Sequence, residues 1–185
     1  DSAGTVNASV GQNISEFSLK DGALSFAITG KNVEMDVAVD AVPLPVGATL
    51  GEVRFAAESP LVASDEAGAF TLDVAVTEFA VDDVLWGFFD PRRILNREPF
   101  SFEAEIEGAG RWLVDIFDPK LAETFQPDEL PALVSQATIS SLLLSGAGAK
   151  IAAEGAFSFD ASDTTTFDGL PAPDGALEIV MSGID

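Results

Sequence analysis

The chain has 185 residues with 31 acidic and 9 basic side chains, so its formal net charge at pH 7 is −22. That charge argues against nucleic-acid binding, which needs a basic face, and against adhesion of the whole molecule to an anionic membrane surface. Histidine and cysteine are absent, which removes the Ser-His-Asp triad, the cysteine nucleophile and thiolate metal sites. No apolar run approaches the roughly 18 residues of a transmembrane helix.

Apolar and polar residues alternate with a period of two along most of the chain. Val33, Met35 and Val37 alternate with Glu34 and Asp36, and this pattern is typical of a half-buried antiparallel strand. Glycine-containing segments at residues 21–22, 30–32, 108–110 and 146–148 are interpreted as turns between such strands. The sequence therefore predicts a mainly β protein, an antiparallel meander of about nine or ten strands. We expect it to form a curved sheet, a sandwich or a half-barrel that folds over to cover its own apolar face; the alternative is a groove left open for an acyl chain or another protein.

Two segments interrupt the alternation within what we expect to be a single β-rich domain, or a lobe of a larger protein. The first is a central insert over residues 82–99, in which Asp90-Pro91 predicts a helix start, with a short helix over residues 91–95. The second is a helical insert over residues 118–134, with a similar Asp118-Pro119 start and a further helical piece over residues 127–134. Two or three short helices are expected in total.

The central insert concentrates aromatic and cationic side chains on an acidic chain. We predict that these residues contact a protein partner or a ligand, because arginine beside aromatic rings is favoured at interfaces: Trp86, Phe88, Phe89, Arg92, Arg93 and Arg97. The alternative is that the arginines pair locally with the neighbouring acids, which are Asp82, Asp83, Asp90 and Glu98.

The acidic residues elsewhere have simpler interpretations. Glu103, Glu105 and Glu107 alternate with apolar residues and are interpreted as a solvated strand face. Asp160, Asp163 and Asp168 share a loop with threonine oxygens, which calcium favours. Their spacing matches no EF-hand, however, and Asp, Thr and Gly are turn formers. We therefore predict no metal and no cofactor.

Two motifs carry a resemblance to a known family. Residues 85–91, Leu-Trp-Gly-Phe-Phe-Asp-Pro, followed by residues 95–99, Leu-Asn-Arg-Glu-Pro, resemble the WxLFDP and LPRDPA signature of DUF2125, a family of uncharacterised alphaproteobacterial envelope proteins. Residues 157–175 resemble that family's FDNTDxTTFDGxPxPxG segment. The chain departs from the pattern at Asn96, Glu98 and Phe100, which stand where the family has proline, aspartate and alanine. The motifs place the resemblance over most of the chain from about residue 45 onward.

The resemblance implies a location in the periplasm or cell envelope, and it implies no activity. Family members are longer exported proteins, so the resemblance implies that this chain is the later part of one. The first residue is Asp1 rather than methionine, and we expect a processed form or a fragment whose signal segment is not in the given sequence.

The sequence leaves two functional hypotheses open. The first is a non-enzymatic envelope protein that binds a lipid or another hydrophobic ligand on an apolar sheet face. The second is a structural or accessory subunit that docks on a larger envelope or membrane-protein assembly through the central insert. An enzyme is not expected, because no nucleophile–base pair can be built from these residues.

Overall fold

The computed structural model describes residues 4–39, 46–115, 118–119, 130–163, 166–167 and 170–183. Eight antiparallel strands lie side by side in chain order and form one sheet. The elements are β1 (Gly4–Lys20), β2 (Ala23–Val39), β3 (Val46–Pro60), β4 (Gly68–Val81), α1 (Asp83–Phe89), β5 (Phe100–Trp112), β6 (Ala132–Gly146), β7 (Ala149–Asp160) and β8 (Ala172–Ser182). The outermost strands, β1 and β8, do not pair with each other, so the sheet is open.

The prediction of a mainly β antiparallel meander is confirmed, with differences in the elements. The described residues form eight strands, fewer than expected, because the predicted turn at residues 30–32 lies inside the continuous strand β2. The predicted turn at residues 108–110 likewise lies inside β5. The turns at Asp21-Gly22 and at Ala147-Gly148 are confirmed, and their positive φ angles of 51°, 80°, 53° and 88° are those of tight hairpins.

The helix predictions need correction. The only helix among the described residues is α1, and it precedes Asp90, which is its C-terminal cap rather than the start of a helix over residues 91–95. In the predicted helical insert, residues 132–134 belong to β6. Residues 120–129, where the second helix was expected, lie outside the described residues.

One face of the sheet is continuously apolar, and we call it the apolar face. Three rows of directly opposed residues cross seven strands, β2 to β8, and consist entirely of apolar residues and glycine. The rows are Ile28–Phe55–Val74–Ala104–Leu142–Ala153–Ile179, Phe26–Ala57–Leu72–Ile106–Ile139–Gly155–Leu177 and Gly30–Val53–Val76–Phe102–Leu144–Ile151–Met181. Because directly opposed residues point to the same side of a sheet, each row presents one apolar stripe.

The opposite face carries the charged residues. Glu103, Glu105 and Glu107 lie on this side of β5, as expected for a solvated strand face. Ion pairs join neighbouring strands there, with Arg54 Nη2 3.0 Å from Asp73 Oδ1 and Lys31 Nζ 3.1 Å from Glu52 Oε2. The sheet is therefore amphipathic across its thickness.

Bulges preserve the apolar face where the sequence alternation breaks. Ser135 and Ser140 are extra residues in β6, since the register with β5 shifts at both points. Without these insertions, residues beyond each serine would point to the other side, because a one-residue slip inverts the faces of a strand. The Ser135 hydroxyl donates to the carbonyl oxygen of Ala109 at 3.0 Å, so this side chain adds a hydrogen bond between β6 and β5 at the bulge.

The sheet is a single layer with little interior. The accessible surface is 12433 Å², whereas a compact monomer of this length exposes about 8500 Å². The buried apolar residues are few and mostly small: Leu50, Ala75, Trp86, Ala104 and Ala153. Among the described residues, no second sheet or helical layer covers the apolar face, since α1 has seven residues.

Candidate functional site

A depression of about 420 Å³ lies on the apolar face, where β4, β6, β7 and β8 approach one another near one end of the sheet. Its walls come from alanine, valine, leucine, phenylalanine and proline, and no charged or hydrogen-bonding side chain lines it. Its lining includes Phe70, Val134 and Ala137 together with Phe159, Phe167 and Pro173. Such a surface offers dispersion contacts and no hydrogen-bond partner, so it suits a hydrocarbon group.

A glycine leaves space for an aromatic ring in this part of the sheet. Gly108 of β5 lies between Phe70 and Ala137, and the Phe70 ring lies over it, since a Cβ there would be 2.6 Å from Phe70 Cζ. Because Gly108 has no side chain, the Phe70 ring can approach the backbone of β5 closely. Gly108 therefore leaves the space that the Phe70 ring occupies beside the depression.

A second depression of about 250 Å³ adjoins the first and shares Phe70, Leu133 and Val134 with it. Trp112 forms part of its wall. The indole Nε1 of Trp112 donates to the Pro60 carbonyl at 2.8 Å and to the Ser59 hydroxyl at 3.1 Å, which fixes the ring against the end of β3. Together the two depressions extend the apolar site across the strand ends from β3 to β8.

The central insert occupies the other end of strands β4 and β5. Trp86 of α1 stacks on Phe100, with 6.1 Å between ring centroids and 17° between ring planes. Phe100 lies on the apolar face of β5, and its ring lies over Gly146 of β6. Arg97 lies over the Trp86 ring, with its guanidinium carbon 5.6 Å from the ring centroid. The helix therefore closes one end of the apolar face.

Two aspartates build this insert. Asp82 caps α1 by accepting from the amides of Val84 and Leu85 at 3.1 and 3.2 Å, and it also accepts from the Gly47 amide of β3 at 2.7 Å. The Gly47 hydrogen bond is the main reason that the pKa of Asp82 lies below its usual range. Asp82 thus joins the helix to the sheet.

Asp90 is buried, with 5 % of its surface exposed. Its carboxylate accepts from the amides of Ile94 and Leu95, both at 2.9 Å. These bonds, that of Ile94 first, hold the pKa of Asp90 below its usual value, and the charge of Arg97 acts in the same direction. A carboxylate buried among amide donors fixes the turn that follows the helix.

The predicted contact residues divide into two groups in the structure. Trp86 and Arg97 make contacts within the protein, since Trp86 is buried and Arg97 forms an ion pair with Asp83. Phe88 and Phe89 are 70 % and 77 % exposed, and Arg92 and Arg93 are exposed as well. Local pairing, the alternative interpretation of the cationic cluster, therefore holds for Arg97. No ion pair to Arg92 or Arg93 occurs within the residues that the structure describes.

In the acidic loop after β7, the described carboxylates accept hydrogen bonds from residues two or three positions later and so stabilise turns. Asp160 accepts from both the hydroxyl and the amide of Ser162, and the hydroxyl bond is the main cause of a lowered pKa at Asp160. Asp163 accepts from the amide and hydroxyl of Thr166. Asp168, the third residue considered for a cation, lies outside the described residues. In the part of the chain that is described, no group of three acidic side chains could hold a metal ion.

Sequence reasoning missed the depressions on the apolar face, although it predicted the face itself. Their residues lie far apart in the chain and come together only through the pairing of β4, β5 and β6.

Within the described ranges, no helix is long and apolar enough to cross a membrane. No family model, curated protein or solved structure matches the chain, so the resemblance to DUF2125 stays a prediction.

Proposed function

We propose that this protein is a non-enzymatic envelope protein that holds the hydrocarbon part of a lipid on its apolar face. The observation that carries the proposal is the set of three uninterrupted apolar rows across β2–β8, for which the described residues provide no covering layer. Contiguous apolar surfaces of this extent mark binding sites in folded proteins. The location in the envelope is supported by the resemblance of the two sequence motifs.

The chemistry of the depressions favours an acyl chain over a polar ligand. Each methylene group that leaves water contributes about 0.8 kcal/mol, whereas a polar group placed against these walls would lose its hydrogen bonds to water without replacement. Exposed large apolar residues occur along the whole face, including Phe55, Phe102, Leu144 and Ile179. A long hydrocarbon chain can therefore gain contacts well beyond the depression itself.

The alternative function is that of a structural or accessory subunit in a larger envelope assembly. The specific observation that favours it is the pair of unpaired sheet edges. The edge strand β1 has 17 residues and contains few charged residues and no proline, the usual protections of an exposed edge. In that case another polypeptide would cover the apolar face or extend the sheet.

Binding of a 16-carbon fatty acid, with and without a bulky side chain in the depression, tests the first proposal. Ala137→Trp adds a bulky side chain to the lining of the depression, and we expect it to weaken binding at least about tenfold, since a few methylene contacts account for that ratio. Ala156→Trp on the opposite face of the adjacent strand is the matched control, because Ala156 is directly opposed to Thr138 and is exposed. Equal affinity in both variants, or no binding by the unmodified chain, overturns the proposal.

A further inference from the structure

Exposed apolar and cationic side chains follow one another at the end of α1 and in the turn after it, and we call this group the α1 tip. It consists of Phe88, Phe89, Arg92, Arg93, Ile94 and Leu95. The four apolar side chains are 70 %, 77 %, 74 % and 50 % exposed, respectively. Four large apolar side chains exposed within eight residues form a patch rather than scattered surface positions, and such patches indicate a protein or membrane contact.

The α1 tip is held in one shape by the backbone beneath it. The Asp90 carboxylate binds the amides of Ile94 and Leu95, and the Asp90 carbonyl oxygen accepts from the Arg93 amide at 3.1 Å. The Asp90 amide in turn donates to the carbonyl of Trp86 at 2.8 Å, which ties the turn to the helix. The apolar side chains are therefore presented to solvent by a built turn, and little ordering entropy is lost when they bind.

The charges at the α1 tip are complementary to phosphate. The neighbouring acids are engaged elsewhere: Asp82 with three amides, Asp83 with Arg97, and Glu98 with the Asn96 side chain at 2.7 Å. Arg92 and Arg93 have no ion pair within the described residues. Guanidinium groups bind phosphate oxygens in a bidentate manner. Two guanidinium groups that form no ion pair in the described part of the chain, beside exposed aromatic rings, match the headgroup and acyl boundary of a phospholipid bilayer.

We propose that the α1 tip is an interfacial anchor that seats this protein on a phospholipid bilayer. Phe88, Phe89, Ile94 and Leu95 enter the acyl boundary, and Arg92 and Arg93 bind lipid phosphates. Trp86 and Phe100 connect the α1 tip to the apolar face, so the anchor places one end of that face at the bilayer. The further step, passage of an acyl chain between bilayer and sheet, rests on the proposed function, whereas the anchor does not.

The net charge of the chain determines the conditions of binding. The repulsion between an acidic body and an anionic bilayer is screened beyond about 8 Å at physiological ionic strength. The contacts between the α1 tip and the lipids act over distances shorter than this screening length. We therefore expect vesicle binding at about 0.15 M salt and weaker binding to anionic vesicles at low salt, the reverse of a protein with a basic face.

Flotation of the full chain with vesicles of phosphatidylcholine and phosphatidylglycerol tests the anchor. We expect the unmodified protein to float and Phe88→Ser/Phe89→Ser to lose at least about tenfold in vesicle affinity, because two aromatic side chains no longer leave water. Arg92→Gln/Arg93→Gln is expected to lose several-fold. Val180→Ser is the matched control, since Val180 is 57 % exposed on β8 and lies on the side opposite the apolar face, and its vesicle affinity should not change.

The outcomes separate the anchor from the lipid-binding proposal. Fatty-acid binding with no flotation overturns the anchor and leaves the apolar face as the ligand site. Flotation that depends on the α1 tip, without fatty-acid binding, overturns the ligand site alone. Flotation that is equal in the unmodified protein and in both tip variants overturns the anchor, because another surface of the chain then binds the vesicles.

Discussion

Two residues inside strands adopt the left-handed backbone conformation that favours glycine. Asn32 has φ 52° and Glu78 has φ 53°. They are aligned across the sheet with Gly11 and Gly51, at the point where the apolar positions of β2 and β4 change from even to odd numbers. The Ser101 hydroxyl accepts from the Glu78 amide at 3.1 Å. These residues shift the phase of the alternation, at a conformational cost for residues with a side chain.

Replacement of Glu78 by glycine should therefore stabilise the sheet. We expect the free energy of unfolding in urea to rise by about 1 kcal/mol, because glycine adopts this φ without strain. Asn32→Gly is the comparison, and its gain should be smaller because asparagine tolerates the left-handed region. A loss of stability in Glu78→Gly would show that the Glu78 side chain, which lies over Gly51, contributes more than the strain costs.

Gly108 is expected to be intolerant of any side chain. A Cβ at this position would overlap the Gln136 carbonyl oxygen and would be 2.6 Å from Phe70 Cζ. We expect Gly108→Ala to destabilise the protein by about 1–3 kcal/mol, the usual effect of overpacking. Gly87→Ala is the control, since nothing lies within 4 Å of that position in α1, and alanine should gain about 0.5–1 kcal/mol there. Equal urea midpoints for both variants would contradict this interpretation.

The incorrect prediction of a turn at residues 108–110 shows that the local sequence pattern omits contacts between paired strands. Two glycines separated by a single residue favour a turn when only neighbours in sequence are considered. In the structure the space above Gly108 belongs to Phe70, 38 positions earlier, and that contact is created by strand pairing. The same reasoning predicted the glutamates of β5 correctly, because their placement depends only on a period of two.

At the scale of elements, the start of α1 depends on a distant contact rather than on the local signal. Asp90 followed by Pro91 predicted a helix start, because aspartate is a favoured N-terminal cap and proline is tolerated at the first helical position. Asp82 caps the helix in the structure because its other carboxylate oxygen reaches the Gly47 amide, 35 residues away. Asp90 instead organises the turn after the helix. The aromatic and cationic content of the insert was visible in the sequence, but the division into buried and exposed residues was not.

The turn after α1 should respond to pH through Asp90. The pKa of Asp90 lies below its ordinary value of 3.8, so the folded protein binds this proton less tightly than the unfolded chain. Its stabilising contribution is therefore present above pH 3.8 and is lost as the pH falls through the lowered pKa. We expect the amide resonances of Ile94 and Leu95 to shift as the pH falls below about 4, and Asp90→Asn to abolish that shift. Unchanged resonances down to pH 2 in the unmodified protein would contradict the assignment.

At the scale of the whole molecule, the open sheet favours self-association and the net charge opposes it. An open sheet leaves one apolar face and two edges exposed, and a surface of that kind associates with itself unless something prevents it. The formal charge of −22 keeps copies apart at neutral pH. The alternating sequence indicated both the face and the charge. It did not indicate that the sheet stays open, because closure depends on whether β1 meets β8.

We therefore expect reversible self-association where the carboxylates become neutral, at about pH 4, and none at pH 7. Ile179→Lys places a charge on the apolar face of β8, and it should suppress association in sedimentation experiments at pH 4. Val180→Lys is the matched control on the adjacent residue, since Ile179 and Val180 are 51 % and 57 % exposed and alternate between the two faces. Because both residues lie on the same edge strand, equal suppression by the two variants would show pairing of edges, whereas suppression by Ile179→Lys alone identifies the apolar face as the associating surface.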